Sequence, residues 1–232
     1  MAYILNIETS TRVCSVALTL DGEVVAIEES NEKNSHAENI TLFSEKVVTN
    51  AGIAFRDLDA VAVSKGPGSY TGLRIGVSTA KGFCYALDIP LIAVGTLNAL
   101  ASGMISQVED SENSLFVPMI DARRMEVYSA VFDDKLNEIR ETEAEIIEED
   151  SFKDLLNKQR IVFAGDGATK CASFLGQHSN AHLLVDFFPS SSYMRRISYQ
   201  KYVAQDFEDM AYFEPYYLKD FVPGIPRVKG LK

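Results

Sequence analysis

Three groups of residues in this 232-residue chain have types and spacing that suit chemistry. The first is KGPGSYTGLR, residues 65 to 74, a glycine-rich turn after the apolar run LDAVAVS, where a nucleotide-binding protein would cradle phosphate. A P-loop needs GxxxxGK followed by Ser or Thr, but here five residues separate Gly66 from Gly72, and Leu73 and Arg74 follow. The dinucleotide fingerprint GxGxxG also fails, since Gly66, Gly68 and Gly72 give GxGxxxG. What remains is backbone chemistry: Pro67 restricts its neighbours, Gly68 permits positive φ, and a helix start at Thr71 and Gly72 offers N–H groups to an anion.

The second group is Glu8 and Asp121, each closing an apolar strand at a hairpin, where a carboxylate can orient water or magnesium beside a nucleotide. Thr9 and Ser10 continue the first of these turns, and GDG, with Gly165 and Gly167, makes a strand-to-helix turn of similar type. These residues form a vestigial nucleotide site, or they are solvated turn residues with no function. The third group, HSNAH, places His178 and His182 four apart, but it lacks the Glu of HExxH and a third ligand. It reads as surface histidines around a loop, and neither metal nor cofactor is assigned. GxSxG is absent and His36 sits in a helix first turn, which disfavours a hydrolase triad.

The elements that position these groups follow from hydrophobic periodicity. YILNI, VCSVALTL and EVVAIEE, joined by polar turns including DG, predict a three-stranded meander. From Ser35, the capping box SHAE opens a helix with Ile40, Phe43, Val47 and Ala51 on one face and Gly52 as its stop. A buried strand, the glycine loop, a helix over 71–87, the strand LIAV and a third helix after Gly95 follow. Beyond the polar stretch 107–113 the pattern recurs: an offset of 113 residues lays the second meander on the first, with Asp121 opposite Glu8. QRIVFAGDGATKCASFL then repeats strand, glycine turn and helix.

The helix over 71–87 carries two adjoining apolar faces. One holds Leu73, Val77, Ala80, Cys84 and Leu87; the other holds Gly72, Gly76, Thr79, Phe83 and Ala86. It must be covered on two sides, either within the domain or by a second helix approaching the small residues. A formal charge of -11 opposes direct adhesion to nucleic acid, and the basic tail PRVKGLK reads as a solvated terminus. No long apolar run or signal-like start is present, so a cytoplasmic protein without membrane contact is expected. The isolated cysteines Cys14, Cys84 and Cys171 read as buried thiols.

YILNIETSTRVCSVAL, KGPGSYTGLRIGVSTAKGF, PLIAVGTLNALA and PMIDARRMEVYSAVF, in this order and spacing, closely resemble the bacterial TsaB family, also called YeaZ, over nearly the whole chain. The resemblance implies the α/β fold of the actin, Hsp70 and sugar-kinase (ASKHA) superfamily, two lobes with mixed sheets flanked by helices. Residues 1–106 would be the N-terminal lobe with partner-binding helices, 107–113 a connector and 114–232 the C-terminal lobe. It also implies a noncatalytic scaffold for N6-threonylcarbamoyladenosine (t6A) formation beside the tRNA anticodon. Such a subunit binds the transferase TsaD, helps recruit the ATPase TsaE and meets tRNA only through the complex.

By position, Ile40, Phe43 and Val47 on the first helix and Gly72, Arg74, Gly76, Thr79 and Phe83 on the second would pack on TsaD, or on a second copy when the chain is alone. Gly76→Leu would then block the complex and leave the chain folded. A segment of the catalytic relatives similar to PLIAVGTLNALA holds a metal with two histidines four apart; the matching positions here are Thr96 and Leu100. That departure argues against catalysis and against the peptidase label some relatives carry. The alternatives are an active ATPase or phosphotransferase of the same superfamily, with Glu8 and Asp121 around magnesium, and a metallopeptidase.

Overall fold

A computed structural model describes residues 1–32 and 36–219. The opening meander forms as β1 (Tyr3–Glu8), β2 (Cys14–Leu20) and β3 (Glu23–Ser30). β1 and β2 bury nearly every residue because both faces of their sheet are covered, whereas the edge strand β3 alternates between half-buried and exposed. Asp21 and Gly22, the two residues of the DG turn, both take positive φ, 51° and 84°, as a tight hairpin connection requires. α1 (His36–Asn50) follows; Ser35, its expected cap, lies outside the described residues, as does the basic segment at the end of the chain.

β4 (Ala60–Gly66), α2 (Tyr70–Leu87) and β5 (Leu91–Gly95) complete the first sheet, ordered β3-β2-β1-β4-β5. α2 starts one residue before the expected Thr71 because Ser69 caps it, accepting from Gly72 N at 3.3 Å. After α3 (Thr96–Gln107), the plan repeats in β6 (Ser114–Asp121), β7 (Glu126–Phe132), β8 (Glu138–Ile146), α4 (Lys153–Leu156), β9 (Arg160–Ala164), α5 (Asp166–Lys170), α6 (Ala172–Leu175) and β10 (Ala181–Leu184). Its sheet order, β8-β7-β6-β9-β10, is that of the first sheet element for element, and the expected duplication is borne out. The helix expected after Gly167 is instead two short pieces broken at Cys171, whose φ of -97° and ψ of 10° leave the helical region.

Burial explains how the sheets are held together. α1 and α2 cover one face of the first sheet, with Ile40, Phe43, Val47, Val77 and Cys84 against Leu5, Ile7, Val16 and Val63. α3 lies between the two sheets: Ala99 packs with Ile4 and Val94 of the first, while Leu97, Leu100 and Met104 pack with Phe116, Ile120 and Val162 of the second. The chain then returns. Met194 and Ile197, at the start of α7 (Arg195–Val203), join the first sheet's core, and Ser191 N donates to Ser15 Oγ at 2.9 Å in full burial. Beyond α7, Glu208 N donates to Leu91 O at 2.9 Å and Tyr216 N to Lys65 O at 2.7 Å.

Candidate functional site

The glycine loop sits where the first sheet's central strands end, and the chain itself fills it. Ser69 N donates to Ser10 O at 2.6 Å, so the turn after β1 lies against the start of α2. A Cβ on Gly68 would stand 2.4 Å from Ser10 O, and one on Gly72 would stand 2.1 Å from Thr9 O. The same crowding at Gly76 involves Thr9 Oγ1 at 2.2 Å. On its other side the loop meets the C-terminal segment, where Arg74 Nε donates to Tyr217 Oη at 3.2 Å and its guanidinium lies 4.0 Å from the centre of the Tyr70 ring. The second half repeats the device: a Cβ on Gly165 would fall 2.0 Å from Met119 O, and Gly167 lies close over Ile120.

These contacts correct the expectation for the small residues of α2. Gly72 and Gly76 are buried, and they admit the β1–β2 turn of the same chain, not a partner helix. Ile40, Phe43 and Val47 are likewise core residues at 1%, 6% and 0% exposure. Phe83 is half-buried and stacks on Phe55 at 5.2 Å, and Thr79 is half-buried beside it on the helix; Arg74 is exposed. Gly76→Leu would therefore disturb this chain's own packing, and its effect on a complex could not be read separately.

Glu8 is fully buried. Its Oε1 accepts from Ser10 N at 2.6 Å and from Ser64 Oγ at 3.0 Å, while Oε2 has no partner among the described residues. Burial pushes its pKa up from 4.5 more strongly than the hydrogen bonds from Ser10, Ser64 and Thr9 pull it down. The hydroxyls of Thr9 and Ser10 are also buried without partners. Asp121 behaves differently: it is exposed, accepts from Arg123 N at 2.8 Å and is paired with Lys170. Its own N–H donates to Asp166 Oδ1 at 3.0 Å, and burial, together with the charge of Asp121, raises the pKa of Asp166.

Thr96 opens α3 in full burial with a hydroxyl that has no partner among the described residues, and Leu100, one helical turn on, belongs to the apolar cluster on the second sheet. His178 receives Asn180 N on Nδ1 at 3.1 Å, while His182 is exposed on β10, so the two do not converge. His36 instead donates from Nε2 to Thr11 O at 2.8 Å and ties α1 to the β1–β2 turn. Burial pushes the thiols of Cys14 and Cys84 up to about 11. Sequence reasoning missed Lys170 as the partner of Asp121 and Tyr216 and Tyr217 as the cover of the loop. Only a basic residue at the end of GDGATK hinted at the first, and nothing hinted at the second.

Two predictions follow from this geometry. Gly72→Ala meets a backbone oxygen and should cost about 1–3 kcal/mol of stability as overpacking. Gly82, ten residues along the same helix, has open space at its Cβ position, so Gly82→Ala should instead gain up to ~1 kcal/mol from helix propensity. Denaturant unfolding of both variants checks the contrast. For Glu8, the folded state binds the proton more tightly than the unfolded chain, so its contribution is most favourable below about pH 4.5 and declines as pH rises toward the folded pKa. Glu8→Gln mimics the protonated form. Its melting temperature relative to the parent should rise as the pH is raised above 4.5, whereas a difference independent of pH would contradict the assignment.

The family model described as TsaD, tRNA N6-adenosine threonylcarbamoyltransferase, matches residues 23–219. The chain is 37% identical to the tRNA threonylcarbamoyladenosine biosynthesis protein TsaB of Haemophilus influenzae, over 54% of this chain and 51% of the relative. It is 38% identical to the protein of the same name from Escherichia coli, over 61% of each. It thus spans between about half and three-fifths of the length of the curated relatives it matches. A Pseudomonas aeruginosa structure, described as an uncharacterized protein with similarity to peptidase YEAZ, superposes with a TM-score of 0.81 at 24% identity, covering 94% of this chain and 100% of that one. The fold is a duplicated α/β fold, two five-stranded mixed sheets of the same strand order with helices. The chain belongs to the TsaD family, described as tRNA N6-adenosine threonylcarbamoyltransferase.

Proposed function

We propose that this chain serves t6A formation on tRNA as a noncatalytic subunit that binds TsaD and helps recruit TsaE. The observation that carries the reading is the state of the two positions where catalytic relatives would place imidazoles. Leu100 is locked in an apolar cluster and Thr96 offers one buried hydroxyl, a donor set that cannot hold a divalent metal. The filled glycine loop supports the same reading, because Ser69 N, at the cap of the helix that would receive a phosphate, already donates to Ser10 O, and Thr9 O lies against Gly72.

With Ile40, Phe43 and Val47 in the core, the partner surface we assign is the outward side of α1 and α2. Leu42 at 46% exposure and Tyr85 at 81% stand on that side, with Gly82 open to close approach. The same side is our choice for self-association in the partner's absence, and residues 1–106 are the lobe we assign to partners. A net charge of -11 fits a subunit that leaves tRNA contact to its partner in the cytoplasm. Among the described residues no helix is long and apolar enough to cross a membrane.

An active ATPase is the second reading, favoured by the unpartnered oxygens of Glu8, Thr9 and Ser10. Against it stands Asp121, whose carboxylate is already neutralised by Lys170. Co-expression with TsaD and TsaE tests the first reading: threonylcarbamoyl transfer should require this chain, and undiminished transfer without it would end the scaffold role. Tyr85→Glu should reduce co-purification with TsaD roughly tenfold, the effect of burying an unpaired charge at an interface, while the circular dichroism spectrum stays unchanged.

A further inference from the structure

Between α3, the start of α7 and the turn between β7 and β8, a cavity of about 260 Å³ opens to the surface. Three cationic side chains line it, Lys135 from the turn and Arg195 and Arg196 from the first turn of α7. None of the three forms an ion pair among the described residues, although this chain has 33 acidic residues to offer and pairs Lys46, Lys153, Lys170, Lys201 and Lys219. Lys135 and Arg196 are exposed and Arg195 is half-buried, so the lining offers charged donors to an occupant that accepts hydrogen bonds.

The occupant's charge follows from the lining. Asp134 is the one carboxylate in the lining, and with Asp133 near Lys135 it opposes three cations, which leaves an excess of positive charge in a strongly negative molecule. Ser102 and Gln200 add neutral groups able to donate to oxygen. Guanidinium forks match phosphoryl oxygens in geometry as well as charge. The volume lies below the range of about 300–1,000 Å³ typical for drug-sized ligands, which favours a compact anion over a long chain. The net charge of -11 also works against the approach of a polyanion.

We infer that the cavity between α3, α7 and the β7–β8 turn is a binding site for a small phosphate-bearing ligand, held by Lys135, Arg195 and Arg196. The site is independent of the glycine loop and of the outer side of α1 and α2, so it stands or falls apart from the scaffold reading. Its walls belong to both halves of the chain, and an occupied cavity would tie the β7–β8 turn to the helix that returns to the first sheet.

Calorimetric titration of the full chain with inorganic pyrophosphate and with adenosine monophosphate tests the inference. At least one should bind saturably, and Lys135→Gln and Arg196→Gln should each weaken it roughly tenfold or more, as loss of a charge-assisted hydrogen bond does. Both side chains lie at the surface of the cavity, so these variants keep the fold even where Arg195→Gln does not. Lys153→Gln, which removes a cation paired with Asp150 elsewhere, should leave binding unchanged. Absence of saturable binding, or binding equally strong in all variants, would overturn the site. Binding of a single-stranded RNA oligonucleotide through Lys135 and Arg196, with neither small phosphate bound, would overturn the assignment to a small ligand.

Discussion

The carbonyl oxygen of Thr9 lies so close to α2 that a Cβ on Gly72 would approach it to 2.1 Å. Helix and hairpin turn can meet at that distance only over glycine, and the rest of the first half is arranged around the contact. It brings Ser10 O to the N–H of Ser69, buries Glu8 beneath the turn and uses the start of α2 as an internal fastening. Gly165 over Met119 O does the same for the second sheet. A motif that looks like a phosphate cradle is thus packed against the protein's own backbone in both halves, and in the first Ser69 N also donates to Ser10 O.

Satisfaction is incomplete one layer deeper. Glu8 Oε2 and the hydroxyls of Thr9, Ser10 and Thr96 are buried without partners among the described residues, a concentration of unmet polar groups at the ends of the strands. A neutral Glu8 lessens that cost, since burial already favours its protonated form.

Much of the fold was legible in the sequence because its signals are local. Alternation gave the two meanders, the DG turn gave a hairpin with both residues at positive φ, and the 113-residue offset anticipated two sheets of identical order. Pairings across long sequence separations were not legible. Nothing in SSSYMRR indicates that Ser191 reaches Ser15, or that Tyr216 returns to Lys65, because such contacts depend on how the halves dock. The small residues of α2 illustrate the limit. Their spacing correctly announced a close approach, but Gly72 and Gly76 receive a turn of the same chain, and periodicity cannot distinguish that from a partner helix.

Thr9 and Ser10 close the glycine loop, and under the proposed function the loop takes no nucleotide. An amide-resolved NMR titration of the isolated chain with ATP and magnesium tests it most directly. The account predicts no saturable shift at the amides of Thr9, Ser10, Ser69 and Gly72, even if ATP perturbs residues around Lys135 and Arg196. Saturable shifts at those four amides, abolished by Glu8→Ala in a folded protein, would contradict it.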